Sequence, residues 1–383
     1  MRLAVVHKRF DRLGGAEWDC YETTERLAAR GHDVHLVVGQ CRVPPPEGVT
    51  VHRVPVVRVG QLAKLLSFAA AAPRIWRRLG ADVVIGYGRT VGQDIMRASG
   101  GCHRRYLADL ASDRGGRESW RQWASPYERA MLAIERRQYR RGASRKILTV
   151  SSLARAELLD TYPGLSPAAV EVLPYGIDVD RFRSVDHARA RADVRRELGL
   201  PVDARIVLTV GTGFRRKGID LLLELWRRNP PAGAALIVVG NDQRLEAWRR
   251  AARSASGSVC FPGPRRDIER WYAAADAFVL ASIQDAFGMV VLEALASGLP
   301  VVTSRMVGAA EVLEGALADL VVDDPRDGPS VHAALERALD PQMRGRLAEA
   351  AQRAASARSI DAAMDDLERH CDNLARTGRD ADG

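Results

Sequence analysis

Short runs of apolar residues alternate along this chain with longer segments in which apolar or small residues recur at helical spacing. The segment Glu17–Arg30 is an example of the helical pattern, and it ends at Gly31. Strands that alternate with helices predict βα units and parallel sheets. In the first part of the chain the predicted strands are Leu3–His7, Val34–Val38, Val49–Pro55, Val83–Gly86, Lys146–Val150 and Glu171–Leu173.

A second series of the same kind opens at Arg205, after the polar stretch Pro174–Pro201. A chain of 383 residues is expected to form two domains. We therefore predict α/β, Rossmann-like domains at 1–180 and 181–360, and a C-terminal helix at about 361–376 that could pack back on the first domain. The predicted strands of the second series are Ile206–Val210, Ala235–Val239, Val259–Phe261, Ala277–Leu280, Val301–Thr303 and Leu320–Val322, and its helices include Leu221–Arg228 and Arg244–Ser254.

The positive charge of the chain is concentrated in one window. The net charge is +9, and residues 101–146 hold twelve Arg or Lys against five Asp or Glu, which is +7 in this window alone. Such a cluster predicts an anionic partner: a membrane surface, nucleic acid or a small molecule. Only four of the 57 basic residues are Lys, which a genome rich in Arg codons would explain. Such a genome does not explain why the basic residues cluster in this window.

Cysteine usage and the apolar stretches indicate a cytoplasmic protein. The five Cys are odd in number and show no CxxC spacing, so we expect free thiols and neither a disulfide framework nor a zinc site. The first apolar run is too short for a signal peptide and is typical of a buried strand. The longest one, Leu62–Ile75, contains Lys64 and Pro73 and is not expected to span a bilayer.

The most informative segment is Leu280–Leu299, with the sequence LASIQDAFGMVVLEALASGL. A predicted strand ends in a polar loop, which leads through Asp285 and a Phe-Gly pair into a helix that carries Glu293. Free N–H groups at a helix start bind phosphate, and carboxylates bind sugar hydroxyls. The pattern therefore predicts a nucleotide-sugar site, and the alternative is an ordinary N-cap Asp.

This segment resembles the nucleotide-sugar signature of retaining GT-B glycosyltransferases of family four, which is an acid, seven residues and a Glu. The resemblance implies that Asp285 contacts the donor sugar and that Glu293 binds the ribose hydroxyls. Family members usually have Glu at the first position, and Asp is one methylene shorter. The resemblance also implies a phosphate-binding turn formed by Ala286, Phe287, Gly288, Met289 and Val290.

A basic loop follows the first strand of the second series, in Val210–Asp220 (VGTGFRRKGID). The resemblance implies that Arg216 and Lys217 neutralise the leaving diphosphate in place of a metal ion, with Arg215 as a helper. An Arg directly before the Lys resembles family members that build lipopolysaccharide core. The alternative is a solvated basic turn.

Further candidates come from four other loops. The resemblance implies that Gly14 and Gly15, after the first strand, meet the donor diphosphate and the acceptor, although a plain tight turn also fits. It implies that His103 touches the donor sugar and the reaction centre, although a lone His is often a packing or surface residue. Pro264, in the loop FPGPRR, would lie against the nucleotide base. Glu311, in GAAE, would touch the sugar or Lys217, or would cap a helix.

An amphipathic aromatic stripe runs through the basic window, and Pro126 is expected to divide it into two helices. Such a segment can lie on an anionic bilayer or can bury its apolar face in the first domain. We therefore expect an anionic membrane surface as a partner of residues 104–146. The stripe consists of Trp120, Trp123, Tyr127, Met131 and Ile134, with Arg121, Arg129, Arg136, Arg137, Arg140 and Arg141 around it.

The combined prediction is an α/β, GT-B protein with two Rossmann-like domains whose parallel sheets face an inter-domain cleft. The resemblance implies a retaining hexosyltransferase that moves glucose or a similar hexose from a UDP-sugar to a glycolipid or oligosaccharide acceptor such as lipopolysaccharide core. We expect no cofactor, no metal at Asp178–Asp180 and no nucleic-acid partner. The expected location is the cytoplasm, with peripheral attachment to the inner face of the membrane. The alternatives are a UDP-sugar epimerase of the same architecture and a non-catalytic basic binding protein.

Overall fold

The computed structural model describes residues 1–12, 14–114, 125–255 and 257–379, with only the backbone of 109–114, 378 and 379. The chain divides into two compact units. The first comprises Met1–Tyr175 and Asp361–Gly383, and the second comprises Gly176–Ile360. The division after Tyr175 lies slightly before the predicted boundary at 180.

The first unit is built on a seven-stranded parallel sheet with the order β3-β2-β1-β4-β5-β6-β7. Its strands are β1 (Arg2–Phe10), β2 (Asp33–Cys41), β3 (Val49–Arg53), β4 (Val83–Gly86), β5 (Ile95–Ala98), β6 (Lys146–Thr149) and β7 (Val170–Val172). Its helices before residue 175 are α1 (Gly15–Ala29), α2 (Gln61–Trp76), α3 (His103–Arg114), α4 (Pro126–Gln138) and α5 (Ser152–Thr161), with a 3-10 turn at Pro167–Ala169.

Strand β1 is an interior strand of this sheet, and most of its first half is fully buried. Leu3, Ala4, Val5 and Val6 are fully buried, and β1 pairs with β2 on one side and β4 on the other. A strand segment covered on both faces is apolar, as the unbroken run Leu3–Val6 in the sequence predicts.

The second unit contains a six-stranded parallel sheet with the order β10-β9-β8-β11-β12-β13. Its strands are β8 (Arg205–Thr212), β9 (Ala234–Asn241), β10 (Val259–Gly263), β11 (Ala277–Leu280), β12 (Val301–Ser304) and β13 (Val321–Val322). Its helices are α6 (Val179–Arg183), α7 (His187–Leu198), α8 (Ile219–Arg228), α9 (Leu245–Ala252), α10 (Ile268–Ala274), α11 (Met289–Ala296), α12 (Gly328–Ala338) and α13 (Arg344–Ser356), with 3-10 turns at Gly308–Val312 and Gly315–Leu320.

The long C-terminal helix α14 (Ile360–Arg379) packs on the first unit. Arg30 of the first unit donates from Nη1 to Asp365 Oδ1 at 2.6 Å and to Glu368 Oε2 at 2.7 Å. Leu367 and Cys371 of the helix are buried. An apolar stripe and a set of ion pairs therefore attach the end of the chain to the unit that contains its beginning.

The order of the second sheet determines where its loops meet. Strands β8, β11 and β12 are neighbours and run parallel, so their carboxyl ends lie at one edge. In open parallel sheets, ligands bind at this edge. The loops that follow these three strands carry most of the candidate residues of this unit.

Candidate active site

The loop between β8 and α8 is held in place by Phe214. This side chain is buried against Trp248 and Phe261, with ring centroids 6.1 and 5.8 Å away. Its backbone N–H donates to Asp242 Oδ2 at 3.0 Å. An aromatic anchor at this position orients the three basic residues that follow it.

Gly218 brings this loop against the loop that follows β11. Its φ is +69°, and a Cβ at this position would lie 1.9 Å from the carbonyl oxygen of Ala281. The N–H of Ile283 also donates to the carbonyl of Arg216 at 3.2 Å. Only glycine allows this approach, and the approach places the basic residues beside Asp285.

Gly218→Ala is expected to destabilise the protein by about 2–4 kcal/mol, because a left-handed backbone and a steric clash act together. Gly213→Ala is the matched control, since Gly213 has a φ of +70° and no atom within 4 Å of the added Cβ. The free energy of unfolding of this control should fall by only about 1 kcal/mol. Denaturant unfolding of both variants measures the difference. Equal losses would show that the contact with Ala281 is not tight.

Two cations converge on Asp285. Lys217 Nζ lies 2.5 Å from Asp285 Oδ2, and Arg216 Nη1 lies 3.5 Å from the same oxygen. The Lys217 and Asp285 side chains are only 10% and 13% exposed. Burial raises the pKa of Asp285, but the charges of Lys217 and Arg216 outweigh it and hold this pKa below the ordinary value. Asp285 is therefore ionised at neutral pH.

The turn after Asp285 is shaped by backbone contacts. Gly288 has a φ of +88°, and α11 begins directly after it. The N–H of Gly308 donates to the carbonyl of Asp285 at 3.0 Å, and the N–H of Ala309 donates to that of Phe287 at 2.7 Å. The 3-10 turn that carries Glu311 therefore lies beside the predicted phosphate turn. The first N–H groups of α11, at Met289 and Val290, have no carbonyl partner within the helix and are suited to an anion.

Glu293 lies in the second turn of α11 and accepts a hydrogen bond from the buried Tyr272 hydroxyl at 2.7 Å. Burial raises the pKa of Glu293, and the Tyr272 hydrogen bond partly opposes this rise by favouring the charged form. Tyr272 was not predicted from the sequence, because it lies in α10, 21 residues from Glu293. The signal in the sequence was a Tyr in the apolar second half of this helix, WYAA.

The remaining candidates of the second unit lie near this edge of the sheet. Arg215 is exposed at the same loop as Arg216. Pro264 is exposed directly after β10. The structure thus brings together Arg216, Lys217, Asp285, the predicted phosphate turn and the turn of Glu311.

Three candidates lie in the first unit. Gly14, with a φ of +100°, precedes α1, and Gly15 begins it, so both form a strand-to-helix turn. His103 begins α3, and its Nε2 lies 2.6 Å from Glu128 Oε2. The backbone N–H groups of His103 and Arg104 donate to the buried Glu135, at 2.8 and 3.0 Å. Glu135 therefore positions the start of α3 and, with it, His103.

Two family models cover most of the chain. The model of the glycosyl transferases group 1 matches residues 190–354, and that of glycosyltransferase family 4 matches residues 13–181. The chain is a glycosyltransferase of family four. Lipopolysaccharide glucosyltransferase WaaG of Escherichia coli (strain K12) is 28% identical over 88% of this chain and 90% of its own. D-inositol 3-phosphate glycosyltransferase of Corynebacterium jeikeium is 32% identical over 58% of this chain and 56% of its own.

Solved structures of such enzymes share the fold of this glycosyltransferase. The crystal structure of WaaG matches with a TM-score of 0.79 and 26% identity, over 97% of this chain and 99% of WaaG. Anabaena HepE in complex with UDP-glucose matches with a TM-score of 0.70 and 17% identity, over 97% of this chain and 100% of HepE. This similarity shows the fold alone. The predicted α/β, GT-B fold with two Rossmann-like domains is confirmed, and so is the prediction of a nucleotide-sugar-dependent transferase.

Part of the amphipathic stripe of this glycosyltransferase is buried in the hydrophobic core of the first unit. Met131 and Ile134 of α4 are buried against Leu65, and the partly buried Tyr127 packs there too. Trp120, Arg121 and Trp123 lie outside the described residues. Arginines of the same helix and its end remain exposed: Arg129, Arg136, Arg137, Arg140 and Arg141. For the described part of α4, the expectation of a buried apolar face therefore fits, and the outer face is cationic.

The Asp178–Asp180 segment of the glycosyltransferase has a structural role at Asp178. This side chain caps α6, because its Oδ1 accepts from the N–H of Arg181 at 3.2 Å. Within the described ranges, no group of three or more His, Cys, Asp or Glu side chains could hold a metal ion.

Among the residues that the structure describes, no helix combines the length and apolarity that crossing a bilayer requires.

Proposed function

We propose that this glycosyltransferase moves a hexose, with glucose as the first choice, from a UDP-sugar to a hydroxyl of a lipid-linked glycan such as lipopolysaccharide core, with retention at the sugar carbon. The observation that carries this proposal is the cluster of Arg216, Lys217 and Asp285 beside the N-terminus of α11. The similarity to WaaG, a lipopolysaccharide glucosyltransferase, supports the choice of donor and acceptor.

The chemistry requires stabilisation of the departing diphosphate. Negative charge grows on its terminal oxygen as the bond to the sugar stretches, and donors aimed at that oxygen lower the barrier. Arg216, Lys217 and the first N–H groups of α11 would provide this stabilisation. The acceptor hydroxyl would attack from the same face as the leaving group, because the sequence offers no evident protein nucleophile, and its proton would pass to the departing phosphate oxygen.

The two carboxylates would hold the carbohydrate parts of the donor. Asp285 would accept a hydrogen bond from a hydroxyl of the hexose, and Glu293 from a ribose hydroxyl. The Tyr272 hydroxyl would fix the orientation of the Glu293 carboxylate, since it donates to one of its oxygens. We therefore propose that Tyr272 is a positioning residue.

Tyr272→Phe is expected to raise KM for the donor roughly three- to tenfold with little change in kcat, because one hydrogen bond to a charged group is lost. The hydrogen bond lowers the pKa of Glu293, so its loss raises that pKa further. More Glu293 is then protonated as pH falls, and the defect in KM should be larger at pH 6 than at pH 8. Steady-state rates at both pH values test this, and a pH-independent defect would indicate a purely structural role.

Thermal stabilisation by a panel of nucleotide sugars tests the donor. UDP-hexoses are expected to raise the Tm of the wild-type protein, and Glu293→Ala is expected to abolish that rise. Glu224→Gln, which replaces a partly exposed acid on α8 that pairs with Arg227 and Arg228, should leave this rise in Tm intact. The best donor is then incubated with and without acceptor glycolipid. A new UDP-sugar formed without acceptor would indicate an epimerase, and the lack of any response to UDP compounds would contradict the proposal.

We also propose that the glycosyltransferase attaches peripherally to the anionic inner face of the membrane through the exposed arginines of α4. Each basic residue near such a surface contributes about 1 kcal/mol, and salt screens this attraction. The apolar side of α4 is buried, so the attachment would depend on charge.

Cosedimentation with vesicles that contain anionic lipid tests this attachment. The triple variant Arg136→Gln, Arg137→Gln, Arg140→Gln is expected to bind at least about tenfold more weakly at 0.1 M salt. The control replaces the exposed Arg250, Arg253 and Arg346 by Gln and removes the same total charge. Equal loss in both triple variants, or equal binding of the wild type to neutral vesicles, would contradict the proposal.

A further inference from the structure

The carboxylate of Asp285 contacts Lys217 and Arg216, the two cations that would also contact a phosphate oxygen of the donor. Its Oδ2 is 2.5 Å from Lys217 Nζ and 3.5 Å from Arg216 Nη1. A carboxylate oxygen and a phosphate oxygen are the same kind of partner for an ammonium group. A bound diphosphate must therefore share or displace this contact.

The backbone keeps Asp285 within reach of Lys217. Its N–H donates to the carbonyl of Met306 at 3.1 Å, its carbonyl accepts from Gly308 at 3.0 Å, and the residue forms a parallel bridge with Val307. Asp also has the shorter acidic side chain. The carboxylate can rotate, but it cannot leave the neighbourhood of the two cations.

The terminal phosphate of the product, free UDP, carries more negative charge than the same phosphate in the donor. In a nucleotide sugar the terminal phosphate is an ester of the sugar with one negative charge. In free UDP the bond to the sugar is broken, its electron pair stays on the phosphate oxygen, and a terminal phosphate carries about 1.5 to 2 negative charges near pH 7. A nearby carboxylate opposes this additional charge more strongly than it opposes the donor.

We infer that Asp285 sets the relative affinity for product and donor: it disfavours the free nucleoside diphosphate by competing with its terminal phosphate for Lys217 and Arg216. This inference rests on the proposed function and adds to the sugar contact proposed for the same carboxylate. It gives Asp285 a part in product release, which limits turnover in many enzymes.

Titration calorimetry with UDP and with UDP-glucose tests this inference on the full chain. Asp285→Asn keeps the size of the side chain and removes its charge, and it is expected to bind UDP about tenfold more tightly than the wild type does. The affinity for UDP-glucose should rise less, so the ratio of the two affinities shifts toward UDP. Asp285→Glu, which keeps the charge, and Glu224→Gln, which removes a charge elsewhere, should keep the wild-type ratio.

A second measurement needs no variant. The wild type is expected to bind UDP no more than about tenfold more tightly than UDP-glucose, despite the higher charge of UDP. A larger preference for UDP in the wild type, or an unchanged ratio in Asp285→Asn, would overturn the inference. The proposed function can survive the failure of this inference: it stands if UDP binds to the wild type and does not bind to Lys217→Ala. If UDP does not bind the wild type, both fail.

Discussion

Lys217→Ala is expected to lower kcat by about two to three orders of magnitude, which is the typical cost of removing one preorganised charge from a developing anion. Lys217 is the most buried cation of the cluster with Asp285, and its side chain packs against Gly211. Water can replace it only in part, since its side chain is 10% exposed. Initial rates with the UDP-hexose identified by the thermal panel measure the loss.

Lys146→Ala is the control for this variant. Lys146 is also paired with an acid, Glu171, but it lies in the first unit at the start of β6. Its replacement should leave kcat within about twofold, because the pair is partly exposed and weak. The circular dichroism of both variants should match that of the wild type. A Lys217→Ala enzyme that keeps a third or more of the wild-type kcat would remove Lys217 from the proposed mechanism.

The loops of the second unit could be placed from the sequence because each predicted strand there is a short, mainly apolar run. Parallel strands bring the ends of β8 and β11 to one edge, so VGTGFRRKGID and the segment around Asp285 had to be neighbours. The direct contact of Lys217 with Asp285 could not be predicted. It joins residues 68 positions apart and depends on the close approach of Gly218 to Ala281.

The first unit was harder to predict because charged residues are buried in it. Strand β5 (Ile95–Ala98) was not predicted, because Arg97 interrupts an apolar run that is only four residues long. The structure pairs this Arg with Asp19 in the interior. In the same way, the stripe on α4 predicted a bilayer contact and a core contact equally well. The structure decides this, because Met131 and Ile134 pack against Leu65 of α2 in the core.

Asp19→Ala is expected to destabilise the first unit by about 3–5 kcal/mol, the usual cost of removing one partner from a buried ion pair. Arg97 is 3% exposed, and its Nε donates to Asp19 Oδ2 at 2.9 Å. Burial lowers the pKa of Arg97, but the charge of Asp19 outweighs it and raises the pKa above its ordinary value. Without Asp19 the guanidinium stays charged and has lost its carboxylate partner in the interior.

Glu25→Ala is the matched control on the same helix. Glu25 is 40% exposed and lies 3.8 Å from Arg12, so its loss should cost less than about 1 kcal/mol. Hydrogen exchange separates the two units, because protection should fall in β1 and β5 and stay unchanged in β8 and β11. Equal effects of both variants would show that the Arg97 pair contributes little.

The Asp19 variant also connects stability with the candidate site of the first unit. Asp19 lies one turn after Gly14 and Gly15, and it also accepts a hydrogen bond from Ser99 at 2.9 Å. The pair therefore fastens the start of α1 to the end of β5. Asp19→Asn can keep the hydrogen bond from Ser99 but loses the charge. If it recovers only a small part of the lost stability, the charge of Asp19, and not its hydrogen bonds, holds the glycine turn in place.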